Sequence, residues 1–531
     1  MISKAKNQHA AGLKLLCVTE MAERLSYYSM RAILVLYLIS AFMGNAEASR
    51  LYGSFAGLIY LAPLLGGYVA DRFWGSKRSV IAGACVMIVG QMMLFASSCI
   101  VEQSIFIDPV MGGTVDPTVD NSAAFWLMIV GLGCLVVGNG GFKANVSSMV
   151  GELYEKTDSR LESAFTLFYM AVNVGSFFAP LLCGILTADG GWANPGAYRW
   201  GFLCAAIAMS LSLGVFLFWK DRLLIRPDGS PIGVLPTKPA KREVSSQGGE
   251  KVGRKNWQMV LCLLLGLGLF LLFSRSAEGL NDYIVGLIYS AGIALPILII
   301  TDGSLTVSEK KKIAVIYTLA VFVIFFWSAY EQSASSLTIF AEQRCDRQLY
   351  GFQVPTTWFQ SINPIIVIAF APVLAMLWRW LSRRNAEPSL PAKQAIGLLL
   401  LAVGYLIIAI GTRGTVNGAK ASMMWLVSLL FIHSIAELAV GPIGLALVSR
   451  LSPPRFVALL FGLWYCSFAV SNALAGQLAT LLPAEGQAPQ TICGIPIVSL
   501  SDFFMVFACL GGGAGVLLLC LTPWLNRWIK E

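Results

Sequence analysis

Apolar stretches of about 20 residues alternate with short polar segments along almost the whole chain, the spacing of helices that each cross a hydrocarbon core of roughly 30 Å. The pattern places spans at 13–43, 52–71, 79–98, 124–147, 164–187, 199–219, 257–274, 281–301, 312–333, 358–380, 394–411, 422–449, 456–482 and 502–526. An all-α, polytopic membrane protein with fourteen transmembrane helices is predicted. Composition agrees, since 56% of the 531 residues are hydrophobic and only 13% are charged. The start of the chain (MISKAKNQHAAGLKLL) lacks a short apolar core followed by a small-residue cleavage site, so the first span is expected to be retained.

Charge then orients the spans. With both termini on the cytoplasmic side, the inner segments carry 28 Lys and Arg and the outer loops seven, which predicts a multi-pass protein of the plasma (cytoplasmic) membrane. The formal net charge of +9 follows the bilayer and gives no sign of a nucleic-acid partner. Residues 220–256 (KDRLLIRPDGSPIGVLPTKPAKREVSSQGGEKVGRKN) read as a cytoplasmic linker that leaves six spans before it and eight after. The expected domains are an N-terminal six-helix bundle over 1–219, that linker, two extra helices and a connector over 257–311, and a C-terminal six-helix bundle over 312–531.

Several features carry little chemistry. The twelve cysteines form no C-x-x-C and no His/Cys ligand spacing, so no metal site is expected, and only Cys345 and Cys493, in outer loops, are candidates for a disulfide. The glycine-rich runs GLGCLVVGNGG and GGGAG lie inside spans, where they allow close helix packing. His433 reads as a packed residue. No Ser/His/Asp set and no H-E-x-x-H is present, so an enzyme is not expected and no cofactor is implied.

The first span breaks the apolar rule with TEMAERLSYYSMRAILVLYL. Glu20, Glu23, Arg24, Tyr27, Tyr28 and Arg31 project within an arc of roughly 140° on a helix, so one polar face must look away from lipid. Glu20 and Arg24 stand one turn apart and can pair, whereas Arg31 has no carboxylate one turn away. Intramembrane charges cost roughly 3 kcal/mol or more each, which makes a substrate or ion path their default meaning. Three more charges within spans need partners: Lys143, Glu331 and Glu437. Arg31 and Glu331 lie about 18 and 19 residues along outward-running spans, on the outer side of the midplane, and Lys143 and Glu437 lie about 19 and 15 residues along inward-running ones, on the inner side. The expected gate ion pairs are therefore Arg31 with Glu331 and Lys143 with Glu437, each joining the two halves, as alternating access between two bundles would require.

In order and spacing these residues resemble the proton-dependent oligopeptide transporters, a branch of the major facilitator superfamily. The resemblance runs over nearly the whole chain: E-x-x-E-R with a tyrosine pair, GGYVADRFWGSKR, GFKANVSSMVG, FYMAVNVGSFFAP, FWSAYEQ, FQSINP and ELAVGPIGLALVSRL. It implies the major facilitator fold, two six-helix bundles with two additional helices between them as in bacterial members; a monomer is expected. The implied function is proton-coupled symport of di- and tripeptides, the proton being co-transported. It implies that Tyr28, Arg31, Tyr60 and Lys143 face the peptide carboxylate, that Asn173, Asn363 and Glu437 face the amino terminus, and that Trp327 and Trp464 line side-chain pockets. Proton coupling would fall on Glu20, Glu23, Arg24 and Glu331. Gly53 stands where animal members have a histidine, so carboxylates are expected to carry the proton. The rival reading is a proton-coupled carrier of another small zwitterion or of an anion such as nitrate, and the joint presence of Arg31, Lys143, Glu331 and Glu437 favours peptide.

Overall fold

The computed structural model describes residues 9–101, 105–108, 112–115, 120–155, 158, 160–188, 194–234, 256–277, 279–415, 419–453, 455–484, 488–492 and 494–530. Among them the first six helices are α1 (Ala11–Ala41), α2 (Asn45–Val69), α3 (Ser76–Ile100), α4 (Ser122–Glu152), α5 (Arg160–Leu186) and α6 (Arg199–Leu223). Next come α7 (Asn256–Phe273), α8 (Leu280–Ile300), α9 (Val307–Tyr330), the short α10 (Ser336–Gln343), α11 (Ile362–Arg383), α12 (Leu390–Gly411), α13 (Met423–Leu451), α14 (Val457–Ala479) and α15 (Leu500–Lys530). Twelve segments are long and apolar enough to cross a membrane by composition alone. The charge-bearing α1 and the 18-residue α7 complete fourteen crossings, α9 and α10 counting as one. Because that number is even, both ends of the chain lie at one end of the molecule, here the terminal end, opposite the distal end.

Apolar burial divides along the chain. One core is built from residues of α1–α6 and the stretch after α6, from Leu13 to Ile232, with Ala334 and Ile339 added from the second half. The other runs from Ile299, at the end of α8, to Leu525 in α15. A small third cluster (Val285, Ile288, Ala469, Ala473) fixes α8 against α14, and α7 packs on α8. Within the first bundle α3 and α4 approach closely through their glycines: a Cβ on Gly90 would lie 2.8 Å from the Gly131 carbonyl oxygen.

Three local features depart from the expected pattern. First, residues 224–234 are not free linker. Ile225 and Pro231 bridge in antiparallel fashion, Leu224 and Ile232 are fully buried in the first core, and the Lys77 amide donates to the Gly233 carbonyl at 3.2 Å. Two buried aliphatic side chains amid polar neighbours fold this stretch back onto the bundle, so α6 and its hairpin extend past the expected boundary at 219. Second, the span expected over 312–333 is broken. A 3₁₀ turn at Glu331–Ala334 interrupts it and α10 continues to Gln343. Gln332 supports the break, its amide nitrogen donating to the carbonyls of Ser328 at 3.0 Å and of Ala475 on α14 at 2.9 Å. Third, the segment between the spans 79–98 and 124–147 carries a hairpin, Ile105–Asp108 pairing antiparallel with Gly112–Val115.

Candidate functional site

The polar face of α1 is buried. Arg24 Nε lies 3.1 Å from Glu20 and 2.5 Å from Glu23. Arg24 Nη2, Glu20 Oε2 and Glu23 Oε1 are buried with no hydrogen-bond partner among the described residues, so part of the cluster's hydrogen-bonding capacity is unused. The guanidinium also lies 5.6 Å from the centre of the Tyr27 ring.

Two turns further along, Arg31 spans the halves. Its Nη2 meets Glu331 Oε2 at 2.5 Å, its Nε donates to the Tyr52 hydroxyl at 2.9 Å, and its guanidinium sits 5.5 Å from the Tyr28 ring centre. Glu331 occupies the 3₁₀ turn at the end of α9, where the break aims the side chain across the interface. Further hydrogen bonds between the halves come from the same, distal part of the helices. Thr357 and Trp358 donate to the Pro180 and Leu181 carbonyls, Ser361 donates to Phe177, and Asn45 pairs with Gln343. Here α2 also meets α14 backbone to backbone, for a Cβ on Gly53 would lie 2.7 Å from both the Asn472 oxygen and the Gly476 Cα. That approach is what a glycine at 53 permits.

The second expected ion pair is not made. Lys143 places its ammonium 4.9 Å from the Tyr60 ring centre rather than on Glu437. The Glu437 carboxylate instead accepts from the Tyr330 hydroxyl and from Asn363 Nδ2, both at 2.6 Å, and Asn363 also reaches Ser434 Oγ at 3.2 Å. The reason is positional: the latches between the halves sit toward the distal end, and each of these two charges is satisfied within its own half. They nevertheless face one aromatic row. Tyr60 stacks on Phe468 at 5.5 Å, Phe468 touches Trp327 at 5.2 Å, and Trp327 touches Tyr330 at 5.1 Å. A cation at one end, a hydrogen-bonded carboxylate at the other and flat apolar walls between them suit a small ligand bearing both charges.

The remaining residues fall around this row. Trp464 is buried in the second core, against Gly444. Asn173 is buried and its amide is turned back to the Tyr169 carbonyl of its own helix, 2.9 Å away. His433 is buried, 3.1 Å from the Leu401 carbonyl and packed on Tyr405, as a structural residue would be. Cys345 is buried and free, and Cys493 lies outside the described residues. Tyr52, Tyr330, Ser434 and Phe468 were not among the expected site residues. Tyr330 had a signal in FWSAYEQ, where it directly precedes Glu331, and Tyr52 falls at the start of a span; Phe468 had none, being one phenylalanine among 30.

The chain is similar to known proteins over nearly its whole length. A family model described as the POT family matches residues 77–229 and 284–492. The peptide transporter YePEPT of Yersinia enterocolitica is 32% identical over 490 residues, covering 90% of this chain and 89% of that protein. A di-/tripeptide transporter of Lactococcus lactis is 30% identical over 529 residues, covering 96% and 94%. Among solved structures, a peptide transporter POT in complex with sulfate superposes with a TM-score of 0.76 at 27% identity over 98% of this chain and 96% of that one. A POT family transporter in complex with 5-aminolevulinic acid gives 0.75 at 26% over 97% and 96%.

Proposed function

Because this chain belongs to the POT family, we propose that it is a symporter that takes up di- and tripeptides together with protons by alternating access. The observation that carries the reading is the asymmetry of the two charge pairs. Arg31 and Glu331 are joined, while Lys143 and Glu437 stand apart at the two ends of one aromatic row.

The distal end faces outward and both termini face the cytoplasm, in keeping with the distribution of Lys and Arg, and the transporter acts as a monomer in the cytoplasmic membrane. A peptide then places its carboxylate on Lys143, with Arg31 and Tyr60 nearby, and its ammonium on Glu437, beside Asn363 and Tyr330. Protonation of Glu331 from outside removes the charge that holds Arg31 and frees the distal latch, so acid outside favours opening there. The Glu20, Glu23 and Arg24 cluster, with unpartnered buried atoms, takes or passes the proton. Each charge moved down the membrane potential supplies roughly 2.3 kcal/mol per 100 mV, enough for concentrative uptake.

Uptake of a di- and tripeptide panel into proteoliposomes with an imposed pH gradient tests this. Saturable uptake that requires acid outside is expected, and peptides without uptake at any gradient would refute it. A second reading, transport of another small zwitterion, draws support from the 5-aminolevulinic acid bound to the solved relative. Competition of labelled dipeptide by that compound, by free amino acids and by nitrate separates the readings.

A further inference from the structure

Away from the central row, at the distal end, α2, α8 and α14 enclose a cavity of about 270 Å³. Its polar walls are Arg50 from the second turn of α2, Asn281 and Asp282 from the first turn of α8, and Gln477 and Thr480 at the end of α14. The buried side chains of Val285 and Ala473, members of the cluster that fixes α8, form its apolar floor.

The polar groups are arranged by sign. Arg50 is exposed and makes no ion pair among the described residues. Gln477 uses its carbonyl oxygen to accept from the Tyr289 hydroxyl at 2.8 Å, which leaves its amide N–H groups to donate toward an anion. On the α8 side, Asn281 Oδ1 is buried with no hydrogen-bond partner among the described residues, beside the Asp282 carboxylate. An unmet acceptor next to a carboxylate calls for a cation that carries N–H groups. The cavity thus has an anion-binding side and an ammonium-binding side.

We propose that this cavity binds the phosphoethanolamine headgroup of a phospholipid, with its phosphate on Arg50 and Gln477 and its ammonium on Asn281 and Asp282. Depth favours a lipid over a soluble zwitterion, because the cavity is framed by the ends of three membrane helices, at the level where headgroups sit. The same end of α8 turns Leu280, Tyr283 and Leu287 outward, about half exposed, as surface for acyl chains. A choline headgroup has no N–H to offer Asn281 and fits less well. The headgroup also bridges α2 of the first bundle to α14 of the second, beside the Gly53–Gly476 contact, so its binding holds the distal end shut. Only this consequence rests on the transport reading.

The test needs no substrate, so its failure and that of the transport reading are distinguishable. Thermal unfolding of the detergent-solubilised full chain is followed while phosphatidylethanolamine, phosphatidylcholine or soluble phosphoethanolamine is added. Phosphatidylethanolamine is expected to raise the unfolding temperature saturably and above the effect of phosphatidylcholine. Arg50→Gln and Asn281→Leu should each raise the half-saturating lipid concentration by about tenfold or more, the loss expected for one charge-assisted hydrogen bond. Variants that titrate like the wild type, or equal shifts with the two lipids, would overturn the proposal. A full shift from soluble phosphoethanolamine alone would overturn the assignment to a lipid.

Discussion

Glu331 and Lys143 do different work, and single substitutions should separate them. Glu331→Gln keeps the shape of the side chain but removes the charge that holds Arg31 at 2.5 Å. Uptake driven by a pH gradient should vanish while counterflow of preloaded peptide survives; undiminished gradient-driven uptake would take Glu331 out of coupling. Lys143→Ala removes the proposed carboxylate anchor, and half-saturating peptide concentration should rise by about 10- to 100-fold, as loss of a hydrogen bond to a charged group implies. A peptide amidated at its C-terminus should show no such difference between wild type and variant. An equal penalty for both peptides would mean that Lys143 serves packing on Tyr60 instead. Both residues are legible in the sequence because a charge inside an apolar span is costly and needs a partner. The partner was harder to read. Rise per residue placed Arg31 with Glu331 correctly in depth, but the same arithmetic paired Lys143 with Glu437, and depth cannot register that each finds satisfaction within its own half, in Tyr60 and in Tyr330 with Asn363.

Single helices and their ends follow from hydropathy except where a few buried side chains decide. Composition made residues 224–234 look like linker, yet Leu224 and Ile232 are fully buried. Ile232→Ala should cost about 2–4 kcal/mol and lower the unfolding temperature, whereas Val234→Ala, at an exposed neighbour, should not. The break in α9 was hidden for a related reason, because a 3₁₀ turn leaves the apolar count of its span unchanged. Gly53 gives the sharpest test at this scale. An added Cβ meets backbone atoms of α14 at 2.7 Å, which no rotamer change can relieve. Gly53→Ala should therefore hold the distal seam apart, making a cysteine placed at the buried Ser49 reactive to an impermeant maleimide. Continued protection of Ser49→Cys in that background would show that the seam is not set by this contact.

For the molecule as a whole, two separate apolar cores meet along an interface closed at the distal end by hydrogen bonds and the Arg31–Glu331 ion pair. That interface is the part free to rearrange, since packed cores resist gradual deformation. Spin labels on the distal ends of α5 and α11 should move apart when the outside is acidified, and in Glu331→Gln at neutral pH. The two-bundle division is readable from the position of 220–256 and from Arg31, whose carboxylate partner Glu331 lies in the other half. The closed distal end is not, because two arrangements of the same helices bury the same apolar surface. With a core on either side of residues 235–255, continuity of the polypeptide there is dispensable for recognition between the parts. Co-expressed fragments severed in that stretch should reassemble in the bilayer into a working carrier, the seam between them serving as a subunit interface.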